Sequence, residues 1–375
     1  MSRIKAYRRV LEGFAAESRL RTIPGNHNRS EWLDMTSNDY MGLSSMHDIT
    51  DEFHKKQGYE YPSFSASASR LLALDQTHHM DLESMLGSLY ARPTLLFNSG
   101  YHANTGIIAA LNLPGTLFVA DKLIHASMID GLMMGRCDFV RFPHNDMQAL
   151  ERVLEREAPK RERIIILVES IYSMDGDMAP LRQLVAMRNK YSNVLLYVDE
   201  AHAFGVRGKR GLGLSEELGV TDSIDLLIGT LGKAACSCGA FVVADAIMIN
   251  YIANCARSFI FSTALPPVNQ AWSMHTIRTL LAMERKREHL RELSVYFRDR
   301  LQQAGYDVPE GDTPIVPLLT GDAVQALALS SRLRDAGILA LPIRRPTVPP
   351  GGERIRFSLS AKLTTEDIDR IINAL

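Results

Sequence analysis

Cysteine is scarce in this chain. Among 375 residues only Cys137, Cys236, Cys238 and Cys255 are cysteines, too few and too scattered for a disulfide framework. Cys236-Ser237-Cys238 has no second Cys/His pair at ligand spacing, so no metal site is expected. A small apolar side chain in a tight turn accounts for the pair. A surplus of either charge is lacking too. The 42 basic and 43 acidic side chains leave a net charge of −1, which gives neither nucleic acid nor an anionic membrane an electrostatic hold. No uninterrupted apolar stretch is long enough to span a bilayer, and Met1-Ser2-Arg3-Ile4-Lys5 leads into no signal-peptide core. The expected location is the cytoplasm. Internal repeats and low-complexity segments are missing as well.

What is present is an ordinary globular composition, 46% hydrophobic and 23% charged, on a chain long enough for more than one structural unit. Ile4, Tyr7, Val10, Leu11 and Phe14 at helical spacing predict an amphipathic helix within residues 3–20. A turn-rich segment follows, through Pro24-Gly25-Asn26 to Thr36-Ser37-Asn38-Asp39-Tyr40. Between residues 80 and 270, strand candidates at 94–98, 116–120, 164–168, 194–198, 224–228 and 239–243 alternate with helical stretches such as 145–156 and 180–190. That alternation predicts an α/β fold with a mostly parallel central sheet and helices on both faces. Ligands of such sheets bind at the carboxyl ends of the strands. A long helix over 271–300 and amphipathic strands at 314–319, 338–343 and 355–359 read as a smaller C-terminal α+β domain. The expected division is 1–45 as an N-terminal helix and segment, 46–270 as the large domain, and 271–375 as the C-terminal domain.

Chemistry concentrates at two strand ends. Val194 to Val198 delivers Asp199-Glu200-Ala201-His202, and Ile224 to Ile228 leads to Lys233 in Gly229-Thr230-Leu231-Gly232-Lys233-Ala234. A carboxylate after five apolar residues is costly to bury without a partner. A lysine among small residues is placed to act as an imine-forming amine. An acid, a histidine and a lysine so placed suit pyridoxal phosphate, whose ring nitrogen pairs with a carboxylate and whose aldehyde takes a lysine. Singly, each residue has a bland alternative: Asp199 as a helix cap, His202 as a structural histidine, Lys233 as a surface lysine. The letters Asp-Glu-Ala-His also spell a helicase box. An ATP-driven motor, however, needs an upstream phosphate loop. The only nearby approximation, Gly205-Val206-Arg207-Gly208-Lys209-Arg210, lies downstream and lacks the Ser/Thr.

Phe97-Asn98-Ser99-Gly100-Tyr101-His102 reads as strand, turn and helix start, and such N-termini hold phosphate. Ser262-Thr263 could add hydroxyl donors. In Arg354-Ile355-Arg356-Phe357-Ser358-Leu359 the alternation puts both arginines on one face. An arginine fork there suits an amino-acid carboxylate, and the pattern does not choose between Arg354 and Arg356. The alternative is a solvated strand face.

Taken together, SNDYMGL (37–43), FNSGYHANTG (97–106), DKLIHASMIDG (121–131), ESIYSMDGDMAPL (169–181), VDEAHAFGVRGKRGLG (198–213), GTLGKA (229–234), FSTALPP (261–267) and RIRFSLSA (354–361) resemble the α-oxoamine synthases. These are fold-type-I pyridoxal-phosphate transferases with an aspartate-aminotransferase-like fold. The resemblance implies roles. Lys233 is the Schiff-base lysine, Asp199 pairs the pyridine nitrogen, His202 contacts the ring hydroxyl and His125 stacks on the ring. Gly100, Tyr101 and Thr230 meet the phosphate, and Ser173 lies near the ring. Thr263, with Ser262, reaches the phosphate of the partner subunit, which implies a homodimer with shared active sites. Arg356 binds the substrate carboxylate, and Asn38 points into the site. Arg19 and Arg21 could meet an acyl carboxylate or carrier phosphates; their alternative is a solvated helix end.

Within the family, IRRPTVPPGGERIRFSLSA (343–361) and TPIVPLLTGD (313–322) look most like the branch that condenses L-alanine with a pimeloyl thioester, on coenzyme A or a carrier protein, in biotin biosynthesis. Two features depart from that branch. Arg345 stands where it usually has proline. Its glycine-rich segment before Ser69-Arg70 is replaced by Ser63-Phe64-Ser65-Ala66-Ser67-Ala68, and the glycines after it by Ala73 and Leu74, while His79 still matches. This segment shapes the acyl channel, and its serine- and alanine-containing form also looks like synthases of long-chain amino-ketone signals.

Overall fold

The computed structural model describes residues 4–21, 23, 32–57 and 61–375. The expected turn at Pro24-Gly25-Asn26 lies outside the described residues. The chain forms two compact units. One comprises Met1–Asn38, Met174–Gly176 and His289–Leu375; the other comprises Asp39–Ser173 and Asp177–Glu288.

The larger unit is built on a seven-stranded sheet: β1 (Thr94–Phe97), β2 (Thr116–Asp121), β3 (Phe139–Phe142), β4 (Arg163–Glu169), β5 (Val194–Asp199), β6 (Leu226–Thr230) and β7 (Ala240–Ala244). Their spatial order is β1-β7-β6-β5-β4-β2-β3. Only β7 runs against its neighbours; the pairs from β6 through β3 are parallel. Consecutive residues in β2, β6 and β7 are all buried. Since successive side chains point to opposite faces, both faces must be covered, and this explains why these strands read as unbroken apolar runs. The helices Gly100–Ala110 and Ala126–Met134 pack on each other and on this core through Ile107, Ile108, Met128 and Leu132, each fully buried.

Two details of this sheet differ from the sequence-based expectation. The edge strand β3 was not anticipated, because Phe139-Val140-Arg141-Phe142 is short and carries an exposed arginine at its centre. The strand expected at 224–228 runs instead from Leu226 to Thr230, so Thr230 belongs to the strand itself.

The smaller unit carries a three-stranded antiparallel sheet of β8 (Ile315–Leu319), β9 (Leu341–Ile343) and β10 (Arg354–Ser358), with β10 in the middle. Leu33–Asp34 pairs in parallel with Ile338–Leu339. Arg298 is buried at 3% exposure and donates to carbonyl oxygens of Ser294, Pro309, Thr313 and Ile315. Such a planar fork of donors satisfies several loop carbonyls at once. The helix Thr365–Ala374 starts with a reciprocal capping box between Thr364 and Asp367, which satisfies orphan N–H groups of its first turn. The N-terminal helix spans Lys5–Ala16, and Tyr7, Val10 and Leu11 on it are all exposed. The single helix expected over 271–300 is in fact two: Pro267–Leu281, which belongs to the larger unit, and Glu284–Gln303.

Candidate active site

Asp199 is the last residue of β5 and is 5% exposed. Its carboxylate accepts from Asn104 Nδ2 and from the Ala201 N–H, each at 2.8 Å. Asn104 is itself fixed: Tyr197 Oη donates to its carbonyl oxygen at 2.6 Å, and its amide reaches Ser127 Oγ at 2.9 Å. These buried, mutually satisfied groups hold an acid in place at the ligand end of the sheet.

His202 follows on the turn after β5 and is also buried. Its Nδ1 is hydrogen-bonded to Tyr40 Oη at 2.7 Å, and its Nε2 lies 2.9 Å from Lys233 Nζ. The two turns approach closely because Gly205 has φ +81°, and a Cβ there would come within 2.6 Å of Ala234 Cβ. Only glycine fits at that contact, and it adopts this backbone without strain. Glu200, between the two site residues, turns the other way. It is fully buried and accepts from Ser170 Oγ and from the N–H groups of Leu214 and Ser215 at 2.8–2.9 Å. Burial pushes its carboxyl upward, and these donors hold it back.

The candidate phosphate residues come together. Gly100 opens the helix Gly100–Ala110, with Ser99 as the cap that accepts from the His102 N–H. A Cβ on Gly100 would stand 3.9 Å from Thr230 Cβ and Oγ1. Open helix N–H groups beside a hydroxyl form a suitable anion cradle. Ser262 Oγ accepts from Asn98 Nδ2 at 2.7 Å within the same chain, as does the Thr263 carbonyl. Tyr101 is exposed and donates to Asp130 at 2.6 Å. His125 is exposed at the N-terminus of the helix Ala126–Met134, with Nδ1 held by Ser127. A planar ring could stack on that open surface. Ser173 is buried just beyond β4.

The smaller unit holds the two arginines of β10 in different surroundings. Both are buried rather than solvated. Arg354 is engaged by Asp175 at 2.6 Å and by the carbonyls of Gly352 and Met174. Arg356 directs both terminal nitrogens to the side-chain oxygen of Asn38, at 3.3 and 3.2 Å. Arg19 pairs with Glu17 at 2.6 Å and covers the Phe14 ring, and Arg21 donates to Thr347 Oγ1.

Sequence reading missed Tyr40, Asn104 and Glu169. Tyr40 lies in SNDYMGL, and Asn104 stands four residues after Gly100, one turn along the same helix; those positions were the available signals. In the larger unit, a buried carboxylate, a lysine amine beside a histidine, and a helix N-terminus next to a threonine hydroxyl form the donor set that pyridoxal phosphate requires.

Comparison with known proteins agrees. The profile of aminotransferase class I and II matches residues 30–375. A protein of Haemophilus influenzae (strain 86-028NP), provisionally named 8-amino-7-oxononanoate synthase, is 42% identical over 379 residues, covering 99% of this chain and 100% of that one. A protein of Pasteurella multocida with the same provisional name is 43% identical over 382 residues, covering 99% and 98%. Among solved structures, serine palmitoyltransferase of Sphingomonas wittichii superposes with a TM-score of 0.90 at 27% identity, covering 100% of this chain and 97% of that one. The 8-amino-7-oxononanoate synthase of Francisella tularensis gives 0.76 at 25% identity, covering 92% and 96%. The chain is a pyridoxal-phosphate-dependent acyltransferase. It belongs to the class I and II aminotransferase family and, within it, to the α-oxoamine synthases.

Proposed function

We propose that this enzyme condenses L-alanine with a pimeloyl thioester, giving 8-amino-7-oxononanoate, carbon dioxide and free thiol. The observation that carries the reading is the contact between Lys233 and His202 beside buried Asp199, in a chain 42–43% identical to relatives provisionally named for that product. We assign the reaction to biotin biosynthesis and the enzyme to the cytoplasm.

Bound pyridoxal phosphate supplies an electron sink for negative charge at the amino acid's α-carbon. Lys233 would hold the cofactor through its amine, and that amine would serve as the base for the α-proton. Asp199 keeps the proton on the ring nitrogen. His202 donates toward the ring oxygen and, through Tyr40, stays in a fixed orientation. His125 covers one face of the ring, Ser173 borders it, and Gly100 and Thr230 receive the phosphate. Tyr101, Ser262 and Thr263 complete the phosphate surroundings, with Thr263 acting across a homodimer. Exposed Phe64, Leu72, Leu74, Met134 and Phe261 support such an interface. Arg356, oriented by Asn38, takes the substrate carboxylate as a fork. Arg19 and Arg21 meet the acyl carboxylate or the phosphates of coenzyme A or a carrier protein.

A second reading keeps the reaction type and changes the substrates. The likeness to serine palmitoyltransferase and the altered 63–74 segment favour a serine-using or long-chain enzyme. One assay separates them. Alanine, glycine, serine and 2-aminobutyrate are offered with pimeloyl and long-chain acyl thioesters on both carriers, and products are weighed by mass spectrometry. Product from alanine and pimeloyl thioester is expected; product only from serine and a long-chain donor overturns the first reading.

A further inference from the structure

Glu169 is a buried acid to which the reaction above assigns nothing. It ends β4 and stands in register with Asp199 at the end of β5. Register partners on parallel neighbouring strands project to the same face, with backbones about 4.8 Å apart. Two acidic side chains therefore share one face at the ligand end of the sheet. They are 3% and 5% exposed, and two carboxylates so close, out of water, oppose each other's charge.

Their settings differ. Asp199 accepts from two N–H donors at 2.8 Å. One oxygen of Glu169, Oε1, is buried with no hydrogen-bond partner among the described residues. Burial first, and then Asp199, push the Glu169 carboxyl well above the usual carboxylate range. Lys233 and the backbone N–H groups of His125 and Ser173 oppose that shift without cancelling it. Those two N–H groups belong to different segments: His125 caps the helix Ala126–Met134, and Ser173 lies beyond β4. The Glu169 carboxyl thus lies against the backbones of two residues assigned to the cofactor's surroundings.

We infer that Glu169 is a positioning residue that carries a proton at neutral pH, supporting the His125 and Ser173 segments at the sheet end beside the Asp199 carboxylate. The inference rests on the reading of Asp199 as partner of the cofactor's ring nitrogen. A second carboxylate at that end would compete for the ring proton; a neutral acid keeps the hydrogen bonds without the competing charge.

Infrared difference spectroscopy of the holoenzyme, wild type minus Glu169→Gln at neutral pH, reads the charge directly. The expected signal is a protonated-carboxyl stretch that shifts in heavy water; a carboxylate signal in its place overturns the inference. The second readout is the pH titration of the cofactor's visible absorbance. Glu169→Gln preserves shape and neutrality and should keep the wild-type midpoint. Glu169→Leu loses both backbone contacts and should move the midpoint by about one pH unit. A glutamine variant shifted as far as leucine also overturns the inference. Lys233→Ala separates the two readings. If that variant keeps the visible band, the cofactor assignment fails. If it loses the band while Glu169 proves ionised, only this inference fails.

Discussion

Lys233 Nζ lies 2.9 Å from His202 Nε2, and the far nitrogen of the same ring meets Tyr40 Oη at 2.7 Å. Imidazole has one donor and one acceptor nitrogen when neutral. A Lys233 ammonium therefore requires a bare Nε2 and an Nδ1–H pointing at Tyr40. A Lys233 amine is compatible with the opposite tautomer, in which Tyr40 donates. The charge on Lys233 and the hydroxyl of Tyr40 are thus linked through one ring.

Tyr40→Phe tests that linkage. Tyr40 is fully buried, so the hydroxyl deletion should cost about 1 kcal/mol of stability. Turnover should fall roughly tenfold, which corresponds to about 1.4 kcal/mol at the transition state, and the pH optimum should move. A pH–rate profile superimposable on wild type would disconnect Tyr40 from the chemistry.

The two arginines of β10 should separate cleanly. Arg356→Lys loses the bidentate fork but keeps the charge. It should raise KM for the amino acid by roughly tenfold to a hundredfold, consistent with about 1.5–3 kcal/mol for hydrogen bonds to charged groups. Its melting temperature should change little. Arg354→Ala removes the partner of Asp175 from a buried position and should lower the melting temperature with a smaller effect on KM. Steady-state kinetics and thermal melts of both variants check this.

His144 makes a prediction about stability against pH. It sits between Asp121 at 2.9 Å and Asp177 at 2.7 Å, edge-on to Tyr172. Burial alone would push its imidazole down; the hydrogen bonds it donates to the two carboxylates outweigh this and lift it from 6.5 to about 10. A raised folded-state value means the stabilisation is complete below the unfolded value and is lost as pH rises through the folded one. A tenfold change in proton affinity corresponds to about 1.4 kcal/mol. Wild type should therefore lose a few kcal/mol of stability as pH rises from 6.5 to about 10. His144→Gln should be less stable at pH 6 and should lack that slope. Denaturant melts across the window decide it.

The parts of this protein that announced themselves in sequence are those whose meaning is local. The strand feeding Asp199 is legible because both of its faces are buried, which leaves five apolar residues in a row. The glycine before Tyr101 marks a helix start for equally local reasons. The arginines of β10 show the limit. Alternation places them together on one face, but their burial depends on Asp175 and Asn38, far away in the chain. Asn104 and Glu169 were silent for the same reason: an asparagine on a helix and a glutamate at a strand end become informative only when Asp199 is beside them. The break at Ala282-Met283 was invisible because neither residue opposes helix formation.

Lys233 as the cofactor's anchor is the claim on which the chemistry depends most directly. The holoenzyme is reduced with borohydride, which fixes pyridoxal phosphate on whichever lysine carries it, then digested and mapped by tandem mass spectrometry. The expected result is a single phosphopyridoxyl modification on Lys233, absent from Lys233→Ala. A modification on another lysine, or none in enzyme that still turns over, would contradict that assignment.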